Sequence, residues 1–519
     1  ATTGTTERIE SPADTVPVVA PGNVEAWYEF SLGVQAELAG NYVSAADHLD
    51  RALQYDSNAI GIHEELGYLY LQLGKPRDAI THYLPVLAAN PGAYQTNLQL
   101  GSAYLALARH REALDCFTQA AANPADRADG KAQFYVAVTR TMAGDYAAAA
   151  TAYEQYLLLA PDDAVGWYNL GVLHDGLGQD SQAINALERT AALEPTSVRA
   201  LARLALLYRK QERLADATAA ISRAVTLEPA TASHRLLLAE LATEQGDHDA
   251  AIRQYREVLR QTPHDIRAQF QLGLAYARLK DYPQAITALQ RCIALDPEMI
   301  TPYIELGYLY QLHGDLEASV TTFRQALTVD PHNASLHELL GLTYEAQHDT
   351  AAARAAYAAA IAAAPRNTLN ARYHLAGLEY KDGNFAAAEA GYRAVLAQNP
   401  NHAPSLNDLA YLYIERQTEL PAARELIARA LELVPDNACY LDTLGWLEYT
   451  ERNFAAAVQT LARAAALSND REIAWHLGEA NYQLGRFAAA RAAWRELMDD
   501  MRVRERLAVL PESGTVAAP

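Results

Sequence analysis

Apolar side chains along this chain recur at three- and four-residue steps, the spacing of one helical face, and the pattern restarts on a longer beat. Proline marks that beat. Pro161, Pro195, Pro229, Pro263, Pro297, Pro331 and Pro365 follow one another at 34-residue intervals. The series continues at Pro400 and Pro435 with one extra residue each time, and begins earlier at Pro91 and Pro124. Upstream of each closing proline a small residue returns in register: Ala45, Ala79, Ala113, Ala149, Ala183, Ala217, Ala251, Ala285, Ser319, Ala353, Ala388, Ala423, Ala457 and Ala490. Four residues later comes a large apolar one: Leu49, Tyr83, Phe117, Tyr153, Leu187, Ile221, Tyr255, Leu289, Phe323, Tyr357, Tyr392, Ile427, Leu461 and Trp494. These positions define fourteen units. Near the middle of each unit the apolar steps are broken, often by glycine, as at Gly40, Gly74, Gly144, Gly178, Gly246, Gly314, Gly383 and Gly485. Glycine suits a helix C-terminus that needs positive φ, and proline cannot continue a helix, so each unit is expected to be helix–turn–helix. The small residue lets the two helices approach, and the large one a turn later fills the gap beside it.

Trp167, Leu170 and Gly171 open one unit, Leu272, Gly273 and Tyr276 another, and Leu306, Gly307 and Tyr310 a third. With the alanine, large apolar residue and proline that follow, they resemble the tetratricopeptide repeat. The resemblance runs from Glu25 to Met501, nearly the whole chain. It implies an all-α, right-handed superhelical solenoid of about fourteen repeats, with the first helix of each (helix A) on the concave side. One repeat cannot bury its own apolar face, so stacked repeats share a core and length does not imply separate globular domains. The expected organisation is an extended tail over residues 1–24, the solenoid over 25–501, and a C-terminal helix end and tail over 502–519. The resemblance is specific for fold and implies an interaction scaffold without naming what is bound.

The formal charge of −21 makes the chain a poor ligand for nucleic acid or anionic membrane. Its simplest effect is to solvate an extended surface. The sixth repeat departs from this with Arg199, Arg203, Arg209, Lys210 and Arg213, a solvated face or a seat for an acidic segment. Cys116, Cys292 and Cys439 stand in distant repeats, too far apart for pairing within the chain, and Cys116 and Cys292 read as packing residues of the second helix. No run of about 18 apolar residues occurs, so no membrane span is expected. The first methionine is Met142, and removal of a signal peptide or of an initiator both account for a start at Ala1. The Thr-rich start and the stretch Thr15–Pro21 favour export to the periplasm or beyond, with the cytoplasm as the alternative. The last three repeats, around Leu409–Tyr413, Leu441–Trp446 and His476–Ala480, resemble the end of large bacterial tetratricopeptide proteins of the envelope or of secretion.

Catalysis has little support. There is no glycine-rich phosphate loop, no nucleophile elbow and no Cys-x-x-Cys, so no enzyme, cofactor or metal is expected. His63-Glu64-Glu65-Leu66-Gly67 ends on the repeat's own glycine where a second metal ligand would be needed. Two ligand modes that the resemblance suggests are absent too. Phe30 and Val34, Glu64 and Tyr68, or Phe270 and Leu274 replace a carboxylate clamp, and Asn169 stands alone where an asparagine ladder would run. What the concave register offers is Phe30, Tyr68, Phe134, Tyr168, Phe270, Tyr308, Tyr373, Tyr411, Trp446 and Trp475. Such a lining suits an extended, Pro- and Val-containing peptide of a protein partner, and the chain carries one itself in Val16-Pro17-Val18-Val19. Two readings follow. One is a scaffold that binds extended peptide segments in this groove. The alternative is a self-assembling subunit that stacks head to tail, locked by its N-terminal tail. It draws on Trp27, Tyr28 and Phe30 at the front, and on a stretch Trp494–Leu507 that shows no clearly separate cap, although it could itself serve as one.

Overall fold

Where one helix hands over to the next, the sequence supplies both the stop and the start. The computed structural model describes residues 23–128 and 130–508, which form 29 α-helices and a short 3-10 turn at Pro124–Ala128, with no strand among the described residues. Every turn inside a repeat holds a residue at positive φ, and that of repeat 12 holds a second, Glu419. Glycine takes it in eight repeats, from Gly40 to Gly485, and Ala108, Glu212, Lys280, His348, Gln417 and Arg452 take it in the other six. The following residue commonly caps the second helix (helix B): Asn41, Asp145, Asp247, Asp281, Asp315, Asp349 and Asn453 accept a hydrogen bond from an amide of the first turn. The periodic prolines follow the residue that closes helix B. Pro161, for instance, stands after Ala160, which ends the helix Tyr146–Leu159.

In nine of the fourteen repeats the two helices are held close by a glycine on helix A facing the large residue of helix B, and alanine takes its place in the other five. A Cβ on Gly67 would stand 2.6 Å from Tyr83, on Gly101 2.6 Å from Phe117, on Gly341 2.5 Å from Tyr357 and on Gly445 2.5 Å from Leu461. Tyr83, Phe117, Phe323, Tyr357 and Leu187 are fully buried there. Each such side chain contributes roughly 1.5–3 kcal/mol by leaving water. Repeat 11 inverts the arrangement: helix A carries Ala376, and the small partner is Gly391 on helix B, where a Cβ would lie 2.7 Å from that of Ala376.

The chain divides into two compact units, residues 1–263 and 264–519. In each, repeats stack so that helix B of one packs on helix A of the next, and the cores are rows of alanine, leucine and tyrosine. Cys116 and Cys292 are buried in helix B as expected, and Cys439 is exposed. Burial pushes the Cys116 and Cys292 thiols up to about 11, the mark of packing residues.

At the end of the last repeat, part of the stretch Trp494–Leu507 forms a cap. Its second helix stops at Ala493, and a separate helix, Met501–Ala508, follows. This helix buries Val503 in a cluster with Trp475, Ala490, Trp494 and Leu497, with Leu507 packed beside it. Arg502 lies over the Trp475 ring at 4.7 Å and binds Glu472 through both terminal nitrogens, at 2.8 and 2.9 Å. Arg506 lies over Tyr482 and binds Glu479 through Nε and one terminal nitrogen, at 2.9 and 2.8 Å. The apolar end of repeat 14 is therefore covered by a basic, amphipathic cap, not left bare. At the front, Phe30 belongs to the packed cluster of the first two repeats, while Tyr28 is exposed. The peptide Val16–Val19 lies outside the described residues.

Candidate functional site

The residues expected to line a groove sit three before or one after the small glycine or alanine of helix A, and the structure separates them into two groups. Phe30, Tyr68 and Trp475 are at most 9% exposed and belong to packed clusters, so they offer little surface to a ligand. Phe134 is wedged edge-on against Tyr135, Tyr153 and Tyr156 and acts mainly in packing. Burial of Phe30, Tyr68 and Trp475 departs from a uniform aromatic lining. It arises because the neighbouring repeat, or the terminal cap, supplies side chains that close over them. The other positions keep open surface. Phe270 is half-buried and Tyr308 is 43% exposed. Tyr373, Tyr411 and Trp446 are half-buried in the second unit.

In the first unit, Tyr168 lines a cavity of about 490 Å³ with Asp175, Arg199, Arg203, Leu206 and His234. The basic cluster of repeat 6 is largely spent inside this unit. Arg203 pairs with Asp175, Arg209 with Glu240 and Glu244, Lys210 with Asp180 and Arg213 with Asp216. A solvated, self-neutralised face is the outcome.

The second unit concentrates the aromatic surface. Helix A of repeat 11 (Leu369–Lys381) sets Tyr373 and Tyr380 two turns apart on one face, and helix A of repeat 12 (Ala403–Glu415) brings Asp408 and Tyr411 beside them. Tyr392, from helix B of repeat 11 (Phe385–Gln398), forms the floor. With Glu345, His374, Gly377 and Lys381 they line a cavity of about 320 Å³. The Tyr380 and Tyr411 rings lie 6.4 Å apart, and those of Tyr373 and Tyr392 6.2 Å. Tyr373 donates its hydroxyl to Asp408 Oδ2 at 2.9 Å, and the Asn407 amide donates to Oδ1 at 3.0 Å. Burial raises the Asp408 carboxyl above its ordinary range in spite of these two donors, and burial likewise lowers the nearby His402.

The aromatic surface continues in repeats 13 and 14. Trp446 stacks on Tyr449 at 4.4 Å and on His476 at 4.0 Å. The ring of His476 is buried and holds its Nδ1 2.9 Å from Asp442, which fixes the plane against which Trp446 rests. Sequence reasoning missed Tyr380, Tyr449, Asp408 and Gly377, and took Tyr392 for packing alone. One signal was available: Tyr380, Tyr449 and Tyr482 each stand seven residues after an inward position of the same helix. The described residues hold no cluster of three potential metal ligands, and no described helix is long and apolar enough to cross a membrane.

Paired helices packed through a small residue on helix A and a large one on helix B, stacked repeat on repeat with an open aromatic face, define a helical-repeat interaction scaffold. The chain belongs to the tetratricopeptide repeat family: the family profile matches residues 64–129, 98–164, 142–191, 168–233, 236–300, 304–368, 373–438 and 443–498. Members of this family bind protein partners and are generally non-catalytic. A TPR repeat-containing protein of Pseudomonas aeruginosa is 39% identical over 111 residues, 21% of this chain and 19% of that protein's length. The C-terminal part of a TPR repeat-containing protein of Cytophaga hutchinsonii shares 18% identity, with 47% of this chain and 99% of that one covered and a TM-score of 0.43. The Cut9–Hcn1 assembly of the APC/C shares 14%, covering 88% and 96%, with a TM-score of 0.37.

Proposed function

We propose that this protein is a non-enzymatic scaffold whose second unit holds extended segments of partner proteins against the aromatic face of helices A in repeats 11 to 13. The observation that carries the reading is the open cavity walled by Tyr373, Tyr380 and Tyr411, continued by the half-buried Trp446. Tyrosine and tryptophan give apolar contact at low entropic cost and keep a polar edge, which suits a strand-like peptide with spaced anchors.

The test is selection of extended peptides from a display library against the full chain, followed by titration with a Tyr411→Ala, Trp446→Ala double variant. Weakening of tenfold or more at unchanged helicity supports the groove. Unchanged affinity, or loss of helicity, overturns it. The alternative, head-to-tail self-assembly locked by the N-terminal tail, would require the helix Met501–Ala508 to give up Trp475 and Trp494, so the covered end favours partner binding.

A further inference from the structure

Gly377 stands one residue after the small position of its helix, in the register filled by Tyr308, Tyr411 and Trp446 elsewhere in the second unit. A glycine in mid-helix weakens the helix, so a packing duty is the usual explanation. Here there is none. The close approach in repeat 11 is managed by Ala376 and Gly391, and a Cβ on Gly377 would meet only the Tyr392 hydroxyl, at 3.9 Å. The missing side chain leaves the cavity open down to that hydroxyl.

The walls of this opening have unspent bonding capacity of one kind. Tyr392 is 2% exposed, lines the cavity, and its hydroxyl has no hydrogen-bond partner among the described residues. The Tyr380 and Tyr411 hydroxyls lack one as well. Glu345 is already met by the Tyr357 hydroxyl at 2.6 Å, by His374 at 3.2 Å and by Lys381 at 4.0 Å. Asp408, by contrast, has no lysine or arginine partner among the described residues. An occupant must therefore be cationic, must tolerate tyrosine faces, and must donate hydrogen bonds in several directions to oxygen acceptors. A quaternary ammonium cannot donate, and a lysine ammonium donates from one point. A guanidinium does both tasks, since its flat face stacks on aromatic rings while five N–H groups radiate in the plane.

We propose that the cavity at Gly377 is a specificity pocket for one arginine side chain, presented by an extended segment of a partner protein. The inference rests on the groove reading above and assigns its anchor residue. The guanidinium lies against the tyrosine walls of the cavity, pairs with Asp408 and bonds to the Tyr392 hydroxyl.

The experiment uses the full chain and fluorescently labelled Val-Pro-Arg-Val-Val, with analogues carrying citrulline or lysine in place of arginine. Citrulline keeps the shape and removes the charge. The expected result is that arginine binds at least tenfold more tightly than either analogue. That ratio should fall to near one in Gly377→Leu, which fills the opening, and in Asp408→Asn, which keeps the shape and removes the charge, with circular dichroism unchanged in both. Equal binding of arginine and citrulline peptides, weakened together by Tyr411→Ala with Trp446→Ala, overturns the pocket and leaves the groove standing. Equal binding of arginine and lysine overturns the guanidinium assignment. Absence of binding by all three peptides at millimolar concentration overturns the pocket, while the groove is judged separately by the library selection.

Discussion

At the scale of single residues, two glycines in equivalent helices carry opposite meanings. Gly341 is required by packing, because a Cβ would stand 2.5 Å from the buried Tyr357 ring. Gly341→Ala is expected to destabilise the chain by about 2 kcal/mol, overpacking outweighing the gain in helix propensity. Gly377→Ala meets only open cavity and is expected to stabilise by about 0.5–1 kcal/mol. Chemical denaturation of both variants beside the parent checks the pair, and equal signs would refute the distinction. A third residue sets a pH dependence. Burial first, then a hydrogen bond and the charge of Glu37 and the charge of Glu64, push the Glu65 carboxyl from 4.5 up to about 8. The folded state thus binds a proton that the unfolded chain releases. This contribution is complete below the ordinary value and is lost as pH rises towards about 8. Glu65→Gln should match the parent near pH 4.5 and exceed it increasingly up to about pH 8.5, by at most about 5 kcal/mol at the top, since each tenfold change in proton affinity corresponds to about 1.4 kcal/mol. A gap in melting temperature that stays flat across this range would show that Glu65 is ionised when folded.

At the scale of elements, the turn inside each repeat was legible because its chemistry is local. Glycine at the break predicted positive φ, and the structure extends the rule to Ala108, Glu212, Lys280, His348, Gln417 and Arg452, which adopt it without glycine's freedom. A left-handed non-glycine residue costs about 1–2 kcal/mol, part of which is offset by its lower unfolded-state entropy. Ala108→Gly is therefore expected to stabilise the third repeat by about 0.5 kcal/mol, read as slower amide exchange in the helices on either side. The terminal cap was less legible. Arg502, Val503 and Arg506 look like a continuing helix until Trp475 and Tyr482 are seen beneath the two guanidinium groups. Groove exposure was the least legible feature, since it depends on which neighbour covers a side chain. Trp446 and Trp475 share a register band in sequence, yet one faces an open surface and the other lies under the cap. Asp408 was invisible for the same reason: its role comes from Tyr373 on another helix.

For the molecule as a whole, the beat of 34 residues fixes the fold because each repeat contacts only its neighbours, so a local pattern repeated is a tertiary structure. The same logic makes the ends decisive, since an uncovered terminal repeat offers an apolar face that a second copy can match. Here Val503 is fully buried against Trp494, and the chain carries a net charge of −21 that opposes close approach of copies. The expected outcome in light scattering is one species of 56.7 kDa, independent of concentration and unchanged when residues 1–23 are removed. Val503→Asp should lift the cap from Trp475 and Trp494, expose both rings, and produce larger species at low protein concentration while helicity is largely kept. If the parent itself grows with concentration and loses that growth without residues 1–23, the tail locks copies together and the scaffold reading must include assembly. If Val503→Asp stays monomeric, the end of repeat 14 is not the face that the cap protects, and the helix Met501–Ala508 must be explained by local stability alone.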